Sequence, residues 1–232
     1  MSELRSRLAL AHRRAVLTAG GSLVALASMT GVAGAASHQP AAAAAKAGAG
    51  PKRATASQTA AALRDLWVDH IFWVRNVSVA ALDKNDAALK AAEAAAVANA
   101  QGLAGSIEPF YGAPAKDGFF KLLAGHYGAV KAYVVATVAG DAAGQTKATD
   151  DLTANADAIA DFLSKANPNL PKDAVKGMLV AHGGHHIRQT QQLKAQDYAG
   201  EAQTWQEMKA HVYQIADATA NAVAKQFPDK FG

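Results

Sequence analysis

The chain contains no cysteine. Disulfides, thiolate-held iron–sulfur clusters, c-type haem attachment and a lipidated N-terminal cysteine are thereby excluded, and any metal must be held by nitrogen and oxygen ligands. Aromatic residues are scarce at 6%, although half of the 232 residues are hydrophobic. Much of that half is alanine, which suits closely packed helices better than a sheet, and strand signals are hard to find. A basic stripe is also missing. The formal charge is +4, but residues 1–35 hold Arg5, Arg7, Arg13 and Arg14 against Glu3, and residues 36–57 hold Lys46, Lys52 and Arg53, which leaves −2 for the remainder. A mildly acidic folded part offers no electrostatic footprint for nucleic acid.

Long uninterrupted apolar runs are lacking too. The stretch from Ala15 to Val32 is broken by Gly20-Gly21, Ser28 and Thr30, so it makes a poor membrane anchor. It follows a basic region ending in Arg13-Arg14 and precedes Ala33-Gly34-Ala35, small residues suited to cleavage before Ala36. Residues 1–35 therefore read as an export signal. The paired arginines before Ala15-Val16-Leu17 resemble the signal of the twin-arginine pathway, which implies a periplasmic or extracellular destination and no stable membrane span after cleavage. Residues 36–57, rich in alanine with glycine, proline and basic residues, read as a disordered linker.

From residue 58 onward the pattern is helical. Turn signals fall at Asp83-Lys84-Asn85, Gly112 to Pro114, Gly140 to Gly144, Asn167 to Pro171 and Gln196 to Gly200, which predicts an all-α fold of six helices of about 22 to 27 residues. The chain also repeats. Leu66-Trp67-Val68-Asp69-His70, Leu122-Leu123-Ala124-Gly125-His126 and Met178-Leu179-Val180-Ala181-His182 align without gaps at an offset of 56 residues. The same offset relates Asn99, Asn155 and His211 in the alternate helices. The expected architecture is a six-helix bundle of three tandem 56-residue hairpins, 58–112, 113–168 and 169–232.

Large apolar residues lie three and four positions before each of the three histidines, so each histidine should point into the bundle. Residues equidistant from a hairpin turn lie level, which pairs His70 with Asn99, His126 with Asn155 and His182 with His211. Six polar side chains would then form one layer near mid-helix. The third unit adds His185 and His186, and i, i+4 spacing lets two imidazoles reach one metal ion. Gly183 and Gly184, unfavourable in mid-helix, suggest close approach by another helix.

The candidate ligands are His182, His186 and His211, with His126 and His70 from facing helices. His185, Glu207 and Asp69 are secondary candidates, as oxygen ligands or ring-orienting groups. Imidazole suits zinc, copper, nickel or iron. A b-type haem with histidine axial ligands is the cofactor variant. The expected function is non-catalytic metal binding or handling. The alternatives are a structural or interaction protein whose His/Asn pairs fix helix register, and a metal-dependent hydrolase with Glu207 as base. A homo-oligomer or another protein partner stays open.

Leu66-Trp67 with His70, Phe72-Trp73 and Arg75-Asn76, then Asn155-Ala156-Asp157, Asn167-Pro168-Asn169 and the ending Gln226-Phe227-Pro228-Asp229-Lys230-Phe231, resemble a family of poorly characterised bacterial helical-bundle proteins, over about residues 58–232. Some members carry a glycosyltransferase label, so the resemblance implies such an activity, and with it inward histidines at the positions of His70, His126, His182 and His211. The His185-His186 pair departs from that pattern.

Overall fold

The computed structural model describes residues 53–232. Residues 1–35, read above as an export signal, and most of the expected linker lie outside them. The fold is all-α, with six long helices and no strand among the described residues. Helix α1 spans Ala56–Leu82, α2 Asp86–Gly105, α3 Glu108–Tyr111, α4 Ala113–Ala139, α5 Ala142–Ala166, α6 Lys172–Lys194 and α7 Tyr198–Gln226, followed by a 3₁₀ turn at Pro228–Lys230.

Helix α1 starts two residues ahead of the expected boundary because Thr55 and Gln58 form a reciprocal capping box. The Gln58 amide donates to Thr55 Oγ1 (3.1 Å), and the Thr55 amide donates to Gln58 Oε1 (2.8 Å). The short α3 was not expected. Pro109 sits in its first turn, where the missing N–H breaks no helical bond, and would interrupt any continuous run from α2.

Three turns share one chemistry. A residue in the left-handed region, Lys84 (φ 54°), Gly140 (φ 72°) or Gln196 (φ 59°), ends the first helix. The next residue, Asn85, Asp141 or Asp197, then caps the second by accepting from the amide of Ala88, Gly144 or Gly200. Such short connections force the paired helices antiparallel.

Helices α1, α4 and α6 meet one another at the centre. Around them α2 packs on α1 and α4, α5 on α4 and α6, and α7 on α6 and α1. Helix α4 is long and apolar enough to cross a membrane, but 44% of its most apolar stretch is buried against the other helices. It serves here as a core element.

The core is interrupted. A large apolar cluster gathers Leu63, Trp67, Phe119, Leu123, Val175 and Leu179, and a smaller one holds Val74, Ala129, Val130 and Leu152. Along α4 the boundary between them falls at His126, and along α1 between Ile71 and Val74, next to His70.

Candidate metal centre

Helices α1, α4 and α6 each bring histidine into that boundary. His70, His126, His182 and His186 are all buried, His182 completely. One ligand atom from each lies within 4.8 Å of those from the other three. The ring centroids of His182 and His186 are 4.5 Å apart, and their Nε2 atoms 3.1 Å. The other pairs range from 5.3 Å for His70 with His182 to 6.5 Å for His126 with His186. Above the group the Trp67 indole meets the rings of His70 and His182 edge-on, at 5.6 and 5.4 Å.

Burial has an electrostatic consequence. Removal from water disfavours the imidazolium form, and neighbouring rings would repel a second charge. His70 is pushed down to about 3, by burial first and then by His126. His126 is pushed down to about 4, by burial and against the polar amide of Asn155. His182 and His186 fall well below the ordinary range, again by burial first and then by the surrounding histidines. All four are neutral at pH 7, the state in which imidazole ligates metal.

Several of their ring nitrogens have no hydrogen-bond partner. His70 Nε2, both ring nitrogens of His126 and His182 Nδ1 are buried without a partner. Buried polar atoms rarely stay unpaired, and each costs about 1–3 kcal/mol when it does. An ion at the centre of the four rings would take one nitrogen from each. Zinc bonds to imidazole of about 2.0–2.1 Å would set ligand atoms roughly 3.3 Å apart in a tetrahedron, near the His182–His186 separation.

The remaining candidates lie elsewhere. His211 is half-buried on α7, and its Nε2–H donates to the Met178 carbonyl (2.8 Å). Its ring faces His185 at 5.3 Å instead of joining the four. Glu207 is exposed and paired with Arg188, and Asp69 is exposed on α1. The expected layer of six therefore separates into two tiers. Asn99 and Asn155 sit level with the histidines but donate to the carbonyls of Leu66 (2.9 Å) and Leu122 (3.0 Å). In each hairpin the bonded carbonyl belongs to the residue four before the histidine, so it already accepts the histidine's own backbone amide. The outer helices thus pin the turn that carries each ring.

One further expectation changes. A Cβ added at Gly183 or Gly184 would meet nothing within 4 Å, so these glycines do not admit a neighbouring helix. On the same helix as His70, Arg75 donates twice to Glu201 (2.7 and 3.0 Å), a buried carboxylate that also accepts from Gln189 (2.7 Å). That network escaped sequence reading because Arg75 and Glu201 are 126 residues apart.

Comparison with protein-family models, curated proteins and solved structures finds no match. The class defined by the fold and the site is an all-α bundle with a buried four-histidine cluster.

Proposed function

We propose that this is an exported metal-binding protein, built from three tandem 56-residue hairpins, that holds one transition-metal ion between His70, His126, His182 and His186. The observation that carries the reading is the convergence of four buried, neutral imidazoles whose ligand atoms lie within 4.8 Å, with buried ring nitrogens of His70, His126 and His182 left unpaired. The hairpin reading is supported by features recurring every 56 residues: left-handed residues at 84, 140 and 196, caps at 85, 141 and 197, and three side chains bonded to a carbonyl 33 residues earlier. Export is supported by residues 1–35 alone.

Four protein ligands fill a tetrahedron and leave no position for substrate, which favours holding or handling a metal over catalysis. The group includes no carboxylate. Glu207, the base in a hydrolytic reading, is engaged with Arg188. A glycosyltransferase activity, as the resemblance implies, has no sheet among the described residues on which to seat a nucleotide. A purely structural polar layer accounts for Asn99, Asn155 and His211 but leaves ring nitrogens of His70, His126 and His182 buried without a partner.

Elemental analysis of the protein purified from its native host tests the reading. One zinc, copper, nickel or iron per chain is expected, lost on His70→Ala plus His182→Ala. Metal-free protein that takes up none of the four ions on titration would overturn it.

A further inference from the structure

A hydrated ion cannot reach the four histidines along the bundle axis, because the Trp67 cluster closes one side and the Val74–Val130 cluster the other. It must pass between helices. Three seams lead sideways from the layer, one within each helix pair, and they can be compared position by position. Three residues beyond His70, His126 and His182 stand Trp73, Ala129 and His185. The partner helices present Asn99, Asn155 and His211 at the same level. Only the third seam has a metal-ligating side chain on both sides.

We propose that this seam, between α6 and α7, is where the metal is loaded, with His185 and His211 as its first ligands and Glu207 as the carboxylate that neutralises Arg188 at its mouth. The inference rests on the metal-centre reading above. His185 and His211 rings lie 5.3 Å apart, both half-buried at the edge of the bundle. His211 commits Nε2–H to the Met178 carbonyl, which leaves its Nδ1 with a free lone pair. His185 Nδ1 is buried and has no partner. Glu207 is one turn before His211, exposed, and held by Arg188 and Gln203. Its charge offsets that of Arg188, which would otherwise repel cations at the mouth of the seam.

The glycines gain a purpose in this arrangement. Gly183 and Gly184 separate His182 from His185, and the space where their side chains would stand is empty to 4 Å. His185 and His182 are one turn apart on α6, so the outer pair adjoins the inner group along that helix.

Cobalt(II) serves as the probe, because its visible absorption reports coordination by nitrogen. The double variant His185→Ala/His211→Asn gives the third seam the residues of the second, Ala129 and Asn155, and asparagine can keep the bond to Met178. In stopped-flow loading of the full chain, this variant should still bind one cobalt per chain, while the loading rate falls about tenfold or more. Full stoichiometry at the wild-type rate overturns the proposal. Glu207→Gln, exposed and harmless to folding, should slow loading several-fold, and it decides the matter if the double variant does not fold: a wild-type rate then overturns the proposal. A wild-type chain that takes up no cobalt would overturn the metal centre itself.

Discussion

The Nε2 atoms of His182 and His186 stand 3.1 Å apart, a distance that fits a shared proton and also lies close to the edge of a zinc tetrahedron. Which one holds them together can be decided by thermal unfolding. A metal that binds only the folded chain adds about 2.7 kcal/mol at a hundredfold excess over its Kd. For a domain of this size that raises Tm by roughly 5–10 °C. The shift should vanish in His182→Ala/His186→Ala, measured by calorimetry with and without chelator.

Without metal, the four imidazoles should make the protein acid-labile. Their folded pKa values lie below the ordinary 6.5, at about 3 for His70 and about 4 for His126. As pH falls below about 6.5, the unfolded chain takes up protons that the fold refuses, so stability is lost from there down toward the folded values, by about 1.4 kcal/mol per histidine per pH unit. Urea midpoints at pH 7, 6 and 5 should fall steeply, and His126→Leu should flatten the slope by about one proton. A midpoint that stays constant over this range would contradict the buried, neutral assignment.

Asn99→Ala removes the amide that pins the Leu66 carbonyl next to His70. It should cost about 1–2 kcal/mol in denaturant unfolding, with or without metal. Asn155→Ala, at a more exposed site, should cost less. A loss seen only in the metal-bound form would make Asn99 part of the metal's support instead of the scaffold's.

Two glycines on equivalent helices should answer in opposite directions. Gly184→Ala places a methyl group in open space, and should stabilise by about 0.5–1 kcal/mol through helix propensity. At Gly125 the new Cβ would stand 3.1 Å from Asn155 Nδ2 and push it off the Leu122 carbonyl. That change should destabilise. Chemical denaturation of the two single variants gives the comparison directly.

Lys84 and Gln196 hold the left-handed backbone that Gly140 adopts freely at the equivalent turn. An L-residue there is strained by about 1–2 kcal/mol, offset in part by the greater flexibility glycine brings to the unfolded chain. Lys84→Gly and Gln196→Gly should each raise stability by about 0.5–1 kcal/mol. Equal or lower denaturation midpoints would show that side-chain contacts outweigh the backbone strain.

Much of the scaffold was legible in the order of residues, because its causes are local. Helical periodicity, the asparagine and aspartate caps and the turn positions depend on neighbours within a few residues, and the inward placement of His70, His126 and His182 follows from apolar residues one turn away. The weight placed on the third hairpin was a different matter. Counting histidines along the chain favoured His211, whereas packing turned its Nε2 to the Met178 carbonyl and brought His70 and His126 to the centre as equal partners.

The sequence by itself determined a helical chain with histidines on the buried faces of three helices, since side-chain direction on a helix is set by the 3.6-residue repeat. Only the tertiary structure decided which histidines meet. Distances between helices depend on how α1, α4 and α6 converge within a ring of α2, α5 and α7. That convergence comes from contacts between residues some 56 to 126 positions apart, and no local pattern records it.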